Sequence, residues 1–172
     1  IEGRIWKMMD VLSGVTSKVK EGELIQHDHL FDIHLDRELY FDILERKTAL
    51  LFAACCKSGA ILSGASPKTV QDLENYGLHL GRAFQLIDDL LDYSSTETEL
   101  GKPVFTDLRE GKLTLPLLLL KEANPQSTQA LIEDFWSVNS TQLTIDSAGS
   151  RLKTLLHQHQ TLDQTYDIAK KE

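Results

Sequence analysis

Cysteine is almost absent from this chain of 172 residues: Cys55 and Cys56 are the only two, and they are adjacent. Neighbouring cysteines seldom bridge each other, so a disulfide scaffold is excluded and two reduced, packed thiols in a cytoplasmic protein are expected. A long hydrophobic run is missing too. The longest, Leu113 to Leu120, contains Thr114 and Pro116 and falls far short of the ~20 residues that cross a bilayer; its leucines read as core. No signal peptide is visible. The net charge is −8 and the 18 lysines and arginines are scattered, so the basic face that nucleic acid requires is lacking. Strand-type alternation and fixed-period repeats are equally missing, which leaves an all-α protein.

With 41% hydrophobic and 26% charged residues, the composition is that of a folded globular protein, and the length suits a single domain over residues 1–172. Both ends are atypical of a complete chain. There is no initiator Met, and Ile1-Glu2-Gly3-Arg4 spells a protease-cleavage tag, though natural sequence can read the same way. The chain stops at Lys170-Lys171-Glu172, inside a helical pattern, so a piece of a longer protein is expected.

Apolar residues at Trp6, Met9, Leu12, Val15 and Val19 predict one amphipathic helix over 5–27, with Trp6, like Trp136, as a packing anchor. After a polar break from His27 to Leu35, Asp36 can cap a helix from Arg37 to about Leu62, with Tyr40, Ile43, Leu44, Leu51 and Ala54 inside. Gly64-Ala65 ends it, and Ser66-Pro67 starts a third that runs through Tyr93. Residues 94–112 read as loop, and shorter helices follow over 113–122, from Asn124-Pro125 to about Val138, over 144–159 and over 162–171.

What the third helix does contain is Phe84-Gln85-Leu86-Ile87-Asp88-Asp89-Leu90-Leu91-Asp92. At 100° per residue, Gln85, Asp88 and Asp92 form one polar stripe with Asp89 on its flank, and Phe84, Ile87 and Leu91 form the opposite, buried one. Carboxylates one turn apart repel unless solvent or a cation intervenes, and Mg²⁺ accepts one or two of them together with phosphates and water. An ordinary solvated face gives the same pattern. Its company favours the metal: Gly101-Lys102-Pro103, Asp107 and Gly111-Lys112 follow, and Lys47-Thr48 interrupts the second helix. Lysines and glycines of this kind can hold a diphosphate.

Together these residues resemble the trans-type polyprenyl diphosphate synthases. F-Q-x-x-D-D-x-x-D at Phe84–Asp92 is similar to the second aspartate-rich motif of that family, and G-K-P…D-L…G-K-x-T-L-P at Gly101–Pro116 to the segment after it. Lys47-Thr48 matches the K-T pair, Gly22-Glu23 with Gln26 the G-E-x-x-Q segment, and Gly59, Gly64, Gly77 and Gly81 the small residues of the family. The resemblance spans about residues 8–170 and is nearest to the octaprenyl-type, long-chain subgroup.

It implies a helical bundle of the isoprenoid synthase type, present as a C-terminal partial domain without the upstream helices. It implies Mg²⁺ on Asp88, Asp89 and Asp92, and an allylic diphosphate contacted by Lys47 and Lys102. Thr48, Phe84 and Gln85 would line the pocket, with Thr48 and Gln85 steadying the allylic cation or its leaving group. Lys112 would bind substrate and, with Asp107, order the closing loop; Gln26 would face the pocket. The reaction implied is condensation of isopentenyl diphosphate with an allylic prenyl diphosphate, in a homodimer touching membranes only through its product. The first aspartate-rich motif and the isopentenyl diphosphate contacts of the family have no counterpart here, so the chain alone is expected to be inactive. The alternatives are a non-catalytic partner subunit or helical interaction module of the same fold, and a terpene cyclase, which the acids at 88, 89 and 92 disfavour. His27-Asp28-His29, His79, His157 and His159 read as solvated or packing residues rather than metal ligands.

Overall fold

The computed structural model describes residues 2–94, 105–137 and 142–172, and every regular element among them is helical. Helix α1 (Glu2–Asp28) covers the stretch predicted over 5–27. Helix α2 (Arg37–Leu44) starts at the predicted cap, where Asp36 Oδ1 accepts the Leu39 N–H at 2.9 Å. The long second helix is then broken by a π-helical segment, Glu45–Ala49, before α3 (Leu50–Ser63). Lys47 and Thr48 lie inside that segment. Its wider turn resets the register of the apolar face. Tyr40, Ile43 and Leu44 are buried before it and Ala49, Ala53, Ala54 and Ala60 after it, while Leu51, predicted inside, is exposed.

Helix α3 ends on Gly64 in the left-handed region (φ 77°), the usual glycine stop. Helix α4 (Pro67–Ser94) begins at the Ser66-Pro67 signal, with the Thr69 N–H donating to Ser66 Oγ at 3.2 Å. Then come α5 (Thr106–Arg109), α6 (Leu115–Ala123), α7 (Pro125–Trp136), α8 (Gln142–Gln158) and α9 (Thr161–Ala169). The short α5 lies where composition predicted only loop. Asn124 precedes Pro125 as predicted, but its side chain makes no capping bond.

The chain divides into two compact units. One holds residues up to Asp28, Phe41–Gln85 and Glu172; the other holds His29–Tyr40 and Leu86–Lys171.

In the first unit, α1 packs on the π-helical segment and α3 with its Val15–Gly22 face buried. Trp6 (68% exposed), Met9 and Leu12 stay on the surface, contrary to the packing role predicted for Trp6. Steps of three residues each lag a helix turn by about 60°, so a stripe read from Val15 back through Leu12 and Met9 reaches the opposite side by Trp6. Close approach depends on small residues. A Cβ added at Gly22 would meet Lys47 N at 2.8 Å and Arg46 Cβ at 2.9 Å, and one at Gly81 would meet Ala49 Cα at 2.6 Å. Gly22→Ala is therefore expected to destabilise by about 1–3 kcal/mol through overpacking. Gly14→Ala, with nothing within 4 Å, is expected to gain up to about 1 kcal/mol from helix propensity. Chemical denaturation of the two variants checks this, and equal effects would refute the contact.

In the second unit, the first six residues of α6, Leu115 to Leu120, are apolar and buried on every side, and only its end, from Lys121 on, turns polar. Leu115 to Leu120 are core as predicted, with Ile132, Leu152 and Leu156 among their companions in the unit's interior. Trp136 is an anchor: its Nε1–H donates to Leu108 O at 2.7 Å and its ring meets the edge of Phe31. The Phe31 N–H donates to Gly111 O at 2.7 Å. Lys121 Nζ donates to Ile33 O and Leu35 O, fastening the polar break between α1 and α2, and burial holds its pKa below the ordinary lysine value. Among the described residues no helix is long and apolar enough to cross a membrane.

Candidate functional site

Lys47 and Thr48 are held by hydrogen bonds inside the first unit. Lys47 Nζ donates to Gln26 Oε1 at 2.7 Å and lies 3.4 Å from Glu23 Oε1, both on α1. Thr48 Oγ1 donates to Gln85 Oε1 on α4 at 2.9 Å. The G-E-x-x-Q segment, the K-T pair and the glutamine of the acidic motif thus form two linked pairs around the π-helical segment. Phe84 is exposed, its ring 5.3 Å from that of Phe52. The neighbouring Arg46 is already engaged: Asp42 accepts from its Nε at 2.8 Å and Glu21 from its Nη1 at 2.9 Å. The hydrogen bond and charge of Asp42, ahead of Glu21, raise its pKa.

The acids occupy the last turns of α4, in the second unit, and their facing corrects the sequence reading. Phe84 and Leu91, predicted buried, are exposed; Asp89 (4% exposed) and Asp92 (2%) are buried, as are Leu86 and Tyr93. Asp88 alone of the three is exposed. Periodicity separates two faces without saying which is inside, and here hydrogen bonds decide. Asp89 Oδ2 accepts the Tyr40 hydroxyl at 2.6 Å. Asp92 Oδ1 accepts the Thr106 N–H and Oδ2 the Asp107 N–H, both at 3.0 Å. Asp92 thereby caps α5, whose own N-cap residue, Phe105, has φ 60° and no capping side chain. Tyr93 and Thr114 share a hydrogen bond of 2.7 Å.

Lys112 Nζ contacts Glu110 Oε2 at 2.5 Å and Asp107 Oδ1 at 3.4 Å. Burial pulls its pKa down, but the bond to Glu110 and the charges of Asp107 and Glu110 outweigh it and raise it overall. Burial, followed by the charge and hydrogen bond of Asp89, pushes the Tyr40 hydroxyl well above the usual tyrosine pKa. Lys102, with Gly101 and Pro103, lies outside the described residues.

Tyr40 is the residue that sequence reasoning undervalued, counting it as one more apolar position. A buried tyrosine needs an acceptor for its hydroxyl, which is the signal that could have paired it with an acid. His27, His79 and His157 are exposed, and among the described residues no three His, Cys, Asp or Glu side chains form a ready-made metal cluster. A magnesium site needs no such cluster. Exposed Asp88 with Asp92 one turn on offers hard oxygen donors in the number that Mg²⁺ takes when phosphates and water complete its shell, so the donor chemistry fits.

An all-α fold bearing an aspartate-rich helix and a lysine–threonine pair has clear counterparts. Residues 3–148 match the polyprenyl synthetase model, and the chain belongs to that family. It is 41% identical over 126 residues to the octaprenyl diphosphate synthase of Escherichia coli, covering 73% of this chain and 39% of that protein. Against the octaprenyl diphosphate synthase of Haemophilus influenzae it is 35% identical, covering 96% of this chain and 49% of the relative. The crystal structure of a polyprenyl synthase from Caulobacter crescentus, complexed with calcium and isoprenyl diphosphate, superposes with a TM-score of 0.86 at 35% identity, covering 96% of this chain and 49% of that one. The chain therefore spans half or less of the length of these relatives.

Proposed function

We propose that this chain is the metal- and diphosphate-handling part of a trans-polyprenyl diphosphate synthase. The whole enzyme condenses isopentenyl diphosphate with an allylic prenyl diphosphate to give a longer trans-polyprenyl diphosphate. The observation that carries the reading is the coexistence of an aspartate-rich α4 with Lys47 and Thr48 held in a π-helical break. Family membership supports it.

In this reading Asp88 and Asp92 hold Mg²⁺, with Asp89 beside them. Bound there, the metal neutralises the negative charge that grows on the diphosphate as the allylic carbon–oxygen bond ionises. Lys47 and Lys102 donate to that diphosphate, and Lys112 joins them by exchanging its bonds with Asp107 and Glu110. The Thr48 hydroxyl and Gln85, already hydrogen-bonded to each other, steady the allylic cation or its leaving group. The exposed Phe84 ring and its apolar neighbours exclude water that would quench the cation. Isopentenyl diphosphate attacks the cation, and loss of a proton restores an alkene.

The enzyme works in the cytoplasm as a homodimer, with α1 and the stretch from α2 through α3 at or near the interface; the exposed Trp6 and Met9 support the placement of α1. The chain alone binds magnesium diphosphate weakly and transfers no prenyl group, because it carries one aspartate-rich helix where turnover needs the metal gripped from two sides. Calorimetry with millimolar Mg²⁺ and inorganic pyrophosphate tests the reading. Binding that needs the metal supports it; no binding at any metal concentration, or prenyl transfer by the chain alone, overturns it as stated.

A further inference from the structure

The three acids of α4 have different surroundings, all within the second unit. Asp88 is exposed, whereas Asp89 is 4% and Asp92 2% exposed. Asp92 receives two backbone N–H groups, from Thr106 and Asp107. Asp89 receives the hydroxyl of Tyr40, itself 6% exposed, over 2.6 Å. That length is typical of a hydroxyl donating to a charged carboxylate, among the stronger hydrogen bonds proteins make. Positions 88 and 92 are nearly in line along the helix, while 89 is rotated away from 88 by about 100°. To ligate a cation beside Asp88, Asp89 would have to leave its phenol partner and its buried position, whereas Asp88 is already exposed.

We propose that Asp89 is not a metal ligand but a positioning residue, which with Tyr40 clamps the rotation of α4 so that Asp88 faces the metal while Asp92 holds α5. The inference deepens the proposed function and rests on the metal role given there to Asp88. It separates the acidic motif into one exposed ligand, one ligand that also anchors the following segment through the Thr106 and Asp107 N–H groups, and one residue that fixes the helix between them. Tyr40 enters the function through this bond, although it touches neither metal nor diphosphate.

The experiment is calorimetric titration of inorganic pyrophosphate into the chain at zero and at graded Mg²⁺, with a thermal melt of each variant. Asp88→Asn should raise the Mg²⁺ concentration for half-maximal binding about tenfold or more, as loss of a charged ligand does. Asp89→Asn keeps an oxygen that accepts from Tyr40 and should stay within about threefold of wild type, less than one neutral hydrogen bond represents. Tyr40→Phe removes only the hydroxyl and should raise the half-maximal Mg²⁺ about three- to tenfold, leaving metal-free binding unchanged. An Asp89→Asn loss as large as that of Asp88→Asn makes Asp89 a ligand and overturns the inference. A Tyr40→Phe protein that melts lower with unaltered Mg²⁺ dependence shows a merely structural bond and overturns it as well. Absence of Mg²⁺-dependent binding in the wild type removes the proposed function itself, an outcome distinct from either.

Discussion

Asp88→Ala should abolish the rise in melting temperature that Mg²⁺ and inorganic pyrophosphate together give the wild-type chain. A ligand that binds only the folded state, at about ten times its Kd, stabilises by about 1.4 kcal/mol. For a domain of this size that is about 3–5 °C. Asp88 is exposed, so its loss should leave the melt without ligand within about 0.5 kcal/mol of wild type. The prediction thus has two parts, an intact fold and a missing ligand response. A variant that keeps the full response would show that the exposed carboxylate does not hold the metal. A variant that melts early without ligand would show that Asp88 belongs to the framework instead.

The second large effect is on stability and belongs to Asp92. Its two oxygens accept the N–H groups that open α5, and those donors are part-buried. Asp92→Ala leaves both without their acceptor. A cost of about 2–4 kcal/mol is expected from the lost bonds and desolvated donors. Asp92→Asn retains one oxygen and should lose about half as much. Denaturant midpoints measure the size, and hydrogen exchange at the Thr106 and Asp107 amides locates it. If Asp92→Ala unfolds at the wild-type midpoint, the carboxylate does not hold α5 in solution.

Sequence and structure agree best where local chemistry dictates the outcome. Asp36 caps α2, Ser66-Pro67 opens α4 and Gly64 closes α3, because each requirement is met by the residue itself and its near neighbours. The lysine–threonine interruption was legible as a break in the apolar pattern. Its π-helical form was not, since one widened turn depends on what packs against it, here Gly22 of α1. Facing was the least legible property. The exposure of Phe84 and Leu91 and the burial of Asp89 and Asp92 follow from partners distant in the chain: Tyr40 lies 49 residues from Asp89. Reading polar as outward fails when a hydroxyl and two amides wait inside. The candidate site was legible as a set of residues, while the partners of each acid came only with the fold.

The π-helical segment at Glu45–Ala49 amounts to a spare residue wound into an otherwise regular rod. Deleting one position there would let α2 run straight into α3 as a smoother rod. The same deletion would swing everything beyond it by about a quarter turn, carrying Ala53 of α3 off Gly77, where an added Cβ would meet the Ala53 Cα at 2.8 Å. Length in this stretch is therefore constrained more tightly than composition, and a tolerant surface residue such as Leu51 can change more freely than the number of residues around it.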